Sequence, residues 1–271
     1  MSTATLPIPS LPVQRPAPVA SVFLPKEHGS WSLALEPLAL GLLVAPSWAG
    51  GALAGAVLAG FFARRPLKAA LDTTPSVRRQ AARRALALLV GLAGVGQVQS
   101  LVLAPWTAFW PLLPAAALAA VFMRFDAQGD SRAAASEVAG SAAFAFVPAA
   151  FVTLAGGNAQ TALALAILAL ARSVPAVLAV RSYLRMAKGG APRRGLPLLV
   201  AAVAWGVSLG LVLSGHAPFA AGWLGAILFA RVAWLLGPWR PLWPAKRIGM
   251  MEAALGLIYI ALMVMSWPSN A

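Results

Sequence analysis

Long apolar stretches without a polar face constrain this chain more than any other feature. Segments such as ALAGAVLAGFF, ALALLVGLAGVG and ALALAILALA place apolar side chains on every side of a helix, and a helix of this kind needs an apolar solvent. Hydrophobic residues make up 60% of the chain and charged residues only 10%, whereas a soluble domain typically carries about 25% charged residues. The sequence therefore predicts an all-α, polytopic bundle of membrane helices.

About nine segments are predicted to cross the membrane, since each has roughly the 20 residues that a ~30 Å hydrocarbon core requires. They lie at 31–47, 49–66, 84–104, 106–123, 133–154, 159–180, 196–213, 217–236 and 248–267. Residues 1–25 are rich in proline, serine and small residues, which is typical of a disordered tail. We expect a tail at 1–25 and one transmembrane domain at 26–271.

Basic residues are confined to alternate connections between these segments. The connections after the first, third, fifth and seventh segments contain no lysine or arginine, whereas RRPLKAALDTTPSVRRQAARR, MRFDAQGDSR, RSYLRMAKGGAPRR and WRPLWPAKR are strongly basic. The positive-inside rule assigns the basic side to the cytoplasm. This predicts a cytoplasmic tail, an external C-terminus and a place in the plasma membrane of a bacterium. The net charge of +14 has the same explanation, so the expected partner is the lipid bilayer and not nucleic acid.

The composition also narrows the chemistry. The chain has no cysteine, which excludes disulfides, thiolate metal sites and cysteine nucleophiles. Its only histidines are His28 and His216, and we predict neither a metal nor a cofactor. Asp126 and Asp130 have a DxxxD spacing that is able to hold magnesium on one helix face, but Gly129 and the short connection favour a solvated loop. No nucleophile or acid–base pair stands out, so the catalytic residues stay open.

Five ionisable residues fall inside apolar segments: Glu36, Glu137, Arg172, Arg231 and Glu252. A charge near the centre of a membrane helix costs ~2.5 to 3.5 kcal/mol, so it normally faces another charge or a wet cavity. With a rise of ~1.5 Å per residue, all five fall in the inner third of the bilayer. Two interpretations remain open: structural ion pairs that fix the helix register, or a polar cavity that opens to the cytoplasm.

A dense polar cluster stands directly before the first apolar segment, in PKEHGSW. Gly29 or Ser30 is a candidate helix cap, followed by an aromatic anchor at the membrane interface. Alternatively, Lys26, Glu27 and His28 form part of a lid or a proton-handling group over the cavity, because histidine titrates near neutral pH.

Several segments resemble the YwiC-like family of bacterial membrane proteins. They are PKEHGSW, LALEPLALGLL, RAAASEVAG, ARSVPAVLAVRSYLR and KRIGMMEAALGL. The resemblance covers nearly the whole chain from Pro25 onward, and PKEHG is its most specific part. It implies a multipass membrane protein but brings no established reaction.

A more distant resemblance, in helix number and in cytoplasmic loops after the second and sixth segments, is to the intramembrane UbiA-type prenyltransferases. Those enzymes hold an isoprenyl diphosphate through magnesium and two aspartate-rich motifs in these loops. This chain has only Asp72 after its second segment and no acid after its sixth, so a site of that kind is not expected. Cations stand there instead, and guanidinium groups bind phosphate or carboxylate directly. These cations are Arg64, Arg65, Lys68, Arg172, Arg181 and Arg185.

We therefore predict a cytoplasm-facing cationic cavity that binds, or acts on, an anionic or isoprenoid-type, lipid-soluble ligand. The candidate ligand-binding residues are Lys26, Glu27, His28, Glu36, Arg64, Arg65, Lys68, Glu137, Arg172, Arg181, Arg231 and Glu252. Two alternatives remain open: a small-anion transporter, and a non-catalytic membrane partner or assembly factor. A transporter usually shows internal repeats and broken helices at the midplane, and the absence of a convincing repeat disfavours it. Whether the chain is an enzyme stays open.

Overall fold

The fold is that of a computed structural model, which describes residues 28–71, 77–130, 133–191 and 193–268. All regular secondary structure in these ranges is helical, which confirms the predicted all-α class. The α-helices are α1 His28–Val44, α2 Trp48–Ala70, α3 Val77–Leu103, α4 Leu112–Ala127, α5 Ala134–Ala145, α6 Val147–Leu154, α7 Ala159–Ala187, α8 Gly195–Leu213, α9 Phe219–Leu236 and α10 Ala245–Ser266. A short 3₁₀ helix, Trp106–Phe109, precedes α4.

Six helical stretches are long and apolar enough to cross a membrane. They are Arg79–Leu103, Ala134–Leu154, Ala159–Ala187, Gly195–Leu213, Phe219–Leu236 and Ala245–Ser266. The chain is thus a multipass membrane protein with a lipid environment. The apolar part of α1, Leu33–Val44, is shorter than these six. The count of nine crossings and the sides of the two termini stay predictions.

The predicted segment 133–154 is divided into α5 and α6 at Phe146. Pro148 follows in the first turn of α6. Proline has no backbone N–H to donate to the preceding turn, and its ring crowds the carbonyl four residues earlier, so a regular helix is interrupted there. Together the two pieces still form one candidate membrane span, and more than half of it is buried inside the bundle.

Three helices are longer than the apolar pattern predicts. Helix α2 continues to Ala70, α3 begins at Val77 and α7 continues to Ala187. Their extensions are rich in alanine, leucine and arginine, which are good helix formers in water as well as in lipid. Lys68 and Arg83, which we expected in a connection, therefore lie on helix ends. The predicted ends of these helices are wrong.

Helix α7 is the central helix of the bundle and packs against α5, α6, α8 and α9. Alanine is the most frequent residue among its buried positions, and small side chains let membrane helices approach closely. Helix α3 is peripheral and packs on α2, where a Cβ at Gly96 would lie 2.6 Å from the carbonyl oxygen of Ala52. The remaining surface of α3 is largely exposed and apolar, as expected for a lipid-facing helix.

Candidate functional site

Four charged side chains from four different helices meet inside the bundle. Arg172 of α7 lies between two carboxylates, with its Nη2 atom 3.3 Å from Oε2 of Glu36 and its Nη1 atom 3.5 Å from Oε2 of Glu252. Arg231 of α9 pairs with the other oxygen of Glu252. We call Glu36, Arg172, Arg231 and Glu252 the charge network. Its ion pairs connect α1, α7, α9 and α10.

A glycine makes room for one member of this network. Gly256 is buried on α10, one turn after Glu252, and a Cβ at this position would lie 2.6 Å from Oε2 of Glu36 and closer still to Oε1. The carboxylate of Glu36 thus rests directly against the α10 backbone. Arg172 adds a second tie to the same helix, because its Nη2 atom donates to the carbonyl oxygen of Glu252 at 3.1 Å.

The charge network is deeply buried and electrically balanced. The side chains of Arg172 and Arg231 are 6% and 7% exposed, and those of Glu36 and Glu252 are 17% and 12% exposed. The network contains two basic and two acidic side chains, so each arginine has a carboxylate beside it. Removing one partner of a buried pair leaves an uncompensated charge, which typically costs ~3 to 5 kcal/mol. The network therefore fixes how these four helices pack.

Glu137 is not part of the charge network. It pairs with Arg181 at 2.9 Å between Oε2 and Nη1, and both side chains are more than a third exposed. Arg181 follows Arg172 by nine residues on α7, which is two and a half turns, or about 14 Å. The two arginines therefore project from opposite sides of the helix. The prediction of one site for all five intramembrane charges is wrong for Glu137.

Two buried donors of the network have no hydrogen-bond partner among the residues that the structure describes: the Nε atoms of Arg172 and Arg231. Both arginines line a narrow cleft between α7, α8 and α9, with a volume of about 10 Å³, which is room for about one water molecule. The rest of its lining is mostly apolar, and includes Ala176, Ala204, Trp205, Gly225 and Phe229.

The cations of α2 lie elsewhere. Arg64 and Lys68 contact the same oxygen, Oδ1 of Asp126, at 2.8 Å and 3.0 Å. The Arg64 guanidinium also lies 4.6 Å from the ring centroid of Phe122. These hydrogen bonds, that of Arg64 foremost, hold the pKa of Asp126 below its ordinary value against the opposing effect of burial. Asp126 is thus a buried anchor in the last turn of α4, not a solvated loop residue, whereas Asp130 is exposed in the following turn.

Among the described residues, the cations predicted to line one cavity are therefore divided between separate contacts. Helix α2 packs mainly on α3, α1 and α6, and none of its substantial contacts within the described ranges is with α7. Arg65 lies on α2 with the other two α2 cations. Lys26 and Glu27 fall outside the described residues, as does the side chain of His28. Helix α1 begins at His28, so the candidate caps Gly29 and Ser30 lie inside its first turn.

A wider, open crevice of about 330 Å³ lies at the end of the bundle where α7 begins. It is lined by the start of α7, the turn between α8 and α9 and the end of α10, and none of its lining residues is acidic or basic apart from His216. The His216 ring lies 2.9 Å from the Ser214 hydroxyl in an exposed turn, as expected for a loop residue. Of these two openings, the smaller cleft is the one lined by arginine side chains.

Sequence reasoning missed two features of these contacts. One is the role of Asp126, which the spacing of Arg64 and Lys68 signals, because residues four apart on a helix share a face and are able to grip one carboxylate. The other is Gly256, which stands one turn from Glu252. A glycine next to an intramembrane charge indicates a close approach of another group.

Comparisons with known proteins give one match. No curated protein and no solved structure matches the chain, so the resemblance to UbiA-type enzymes stays a prediction. Residues 24–152 match the family model described as YwiC-like protein. The matched range includes PKEHGSW and RAAASEVAG, while Arg172, Arg231 and Glu252 lie beyond it. From the start of α1 into α6, the chain is thus similar to the YwiC-like family.

Proposed function

We propose that the protein binds the anionic head group of a lipid-soluble ligand at Arg172 and Arg231, with the apolar part of the ligand in the cleft between α7, α8 and α9. One observation carries this proposal: two buried guanidinium Nε atoms without a described partner line a cleft whose other walls are mostly apolar. A buried donor left without a partner costs ~1 to 3 kcal/mol. Phosphate or carboxylate oxygens are the natural acceptors for such donors.

In each of the two arginines, the glutamates and the proposed ligand would contact different nitrogen atoms of the guanidinium group. Each guanidinium has five N–H donors in a fixed fork. In the charge network, Glu36 and Glu252 contact Nη atoms of Arg172, and Glu252 contacts an Nη atom of Arg231. This leaves the Nε edges for an incoming anion. The glutamates keep the arginines balanced when the ligand is absent.

An apolar tail needs more room than the cleft holds at rest. Trp205 of α8 and Phe229 of α9 stack with their ring centroids 5.7 Å apart, and both line the cleft. Separation of these two rings would open a path between α8 and α9 towards the lipid. Ala204 and Gly225 stand beside them, and small residues leave space for a chain once the rings part.

A binding assay with dodecyl phosphate tests this proposal, with dodecanol as the uncharged probe. A hydrogen bond to a charged group contributes ~1.5 to 3 kcal/mol, so R231Q is expected to weaken dodecyl phosphate binding by about 10- to 100-fold. R181Q is the matched control, because Arg181 is a cation at the same end that pairs with Glu137. R181Q should leave the affinity unchanged.

A second variant guards against misfolding of R231Q. A204L fills the cleft without altering any charge, and it should also abolish binding. Equal affinity of the wild type, R231Q and A204L for dodecyl phosphate would refute the proposed site. Equal affinity of the wild type for dodecanol and dodecyl phosphate would refute the role of the arginines. The proposal assigns a class of ligand and leaves the reaction open.

We further propose nine crossings, a cytoplasmic N-terminus and a bacterial plasma membrane. The alternation of basic and uncharged connections supports this topology. Because the chain lacks cysteine, single cysteines at two exposed positions, Lys188 and Ser214, provide a direct test. An impermeant maleimide should label S214C in intact spheroplasts and K188C only after permeabilisation. The reverse pattern, or labelling of both from one side, would overturn the topology.

A further inference from the structure

The connection between α9 and α10, residues 237–244, exposes two large apolar side chains. Trp239 is 86% exposed and Leu242 is 88% exposed. In water this arrangement is unfavourable for both side chains. At a membrane interface it is favourable, because tryptophan lies at the level of the lipid head groups and leucine reaches the acyl chains.

This exposure does not come from a loosely held loop. The hydroxyl of Tyr183, which is 1% exposed, accepts a hydrogen bond from the backbone N–H of Trp243 at 2.8 Å. The same hydroxyl lies 2.7 Å from the carbonyl oxygen of Pro241, to which it donates. Prolines at 238, 241 and 244 restrict the backbone further. The fold therefore holds Trp239 and Leu242 in their outward positions.

Three cations flank these apolar side chains. Arg240 lies in the connection, and Lys246 and Arg247 lie in the first turn of α10. Within the described ranges, none of the three forms an ion pair with a carboxylate, and residues 237–247 include no acidic residue. The guanidinium of Arg247 lies 4.6 Å from the ring centroid of Trp243, which positions it beside the connection.

The lengths of the flanking helices place this connection at the level of the lipid head groups. Helices α9 and α10 are both candidate membrane spans, and α9 has only 18 residues. At a rise of ~1.5 Å per residue α9 covers about 27 Å, slightly less than the ~30 Å hydrocarbon core. Residues that follow its last turn therefore do not extend far beyond the bilayer surface.

From these observations we infer that residues 237–247 form a binding surface for anionic phospholipid head groups. Trp239 and Leu242 insert among the lipids, while Arg240, Lys246 and Arg247 contact the phosphates. A lipid interface offers apolar and anionic groups in one layer. A nucleic acid would satisfy the cations and leave Leu242 in water. The surface is distinct from the cleft at Arg172 and Arg231, so it stands or falls independently of the proposed ligand.

Titration of the full chain with fluorescent phosphatidylglycerol, in micelles of a neutral detergent, tests this inference. The triple variant R240Q/K246Q/R247Q is expected to bind about 100-fold more weakly, because each cation near an anionic surface contributes roughly a factor of five. The variant R83Q/R84Q/K188Q removes the same charge at three exposed positions elsewhere. It should bind as tightly as the wild type.

A fluorophore at residue 242 reports insertion directly. The protein has no cysteine, so L242C carries a single environment-sensitive label. In vesicles that mix phosphatidylcholine and phosphatidylglycerol equally, its emission should shift to shorter wavelength than in phosphatidylcholine alone. Equal losses of binding in the two triple variants would overturn the inference, as would a label that stays in water in both vesicles. The label experiment uses the native cations, so it decides the question even if the triple variant misfolds.

Discussion

Replacement of Gly256 by alanine perturbs the contact that seats Glu36 in the charge network. The new Cβ would lie 2.6 Å from Oε2 of Glu36, so the carboxylate has to leave its position beside Arg172. Loss of a buried pair costs ~3 to 5 kcal/mol, while alanine in place of glycine returns ~0.5 to 1 kcal/mol of helix stability. The free energy of unfolding should therefore fall by about 2 to 4 kcal/mol.

Unfolding titrations in mixed micelles measure this loss, and α10 supplies a matched control. A Cβ at Gly249 meets nothing within 4 Å, so G249A should be neutral or slightly stabilising. In an E36A background the clash is absent, and G256A should then cost nothing, which makes the two changes strongly non-additive. The reasoning fails if G256A matches G249A, or if G256A is as costly with E36A as without it.

Two further predictions concern the charges outside the network. Because the pKa of Asp126 is held below its ordinary value, its stabilising effect is present above the unfolded value of ~3.9 and is lost as the pH falls through the lower folded value. D126N should therefore lower the midpoint of thermal unfolding at neutral pH, and its midpoint should approach that of the wild type in acid. D130N should leave the midpoint unchanged at neutral pH. A difference in midpoint between D126N and the wild type that stays the same at every pH would contradict this reasoning. The partly exposed pair of Glu137 with Arg181 should contribute less than ~1 kcal/mol to stability, so E137Q should unfold almost as the wild type does. E252Q, in the buried network, should be clearly destabilised. Equal losses of stability in E137Q and E252Q would show that burial does not decide how much an ion pair contributes.

The amino-acid sequence by itself determined the class of fold and which charged residues stand within apolar helices. Apolar composition selects the solvent, and a membrane solvent requires each segment to satisfy its own backbone, so helices follow from local sequence. Arg172 and Arg231 were likewise recognisable, because an arginine inside an apolar run cannot face lipid without cost. These inferences depend only on neighbouring residues, which is why they needed no knowledge of the packing.

Only the tertiary structure decided which charges meet. Position along a helix gives the depth of a side chain but not the direction in which it points relative to other helices. Arg172 and Arg181 share α7, yet one contacts Glu36 and the other contacts Glu137. Asp126, expected in solvent, is buried because α2 and α4 place the cations of α2 against it. The choice of partners is a property of helix packing, which side chains distant in sequence decide together.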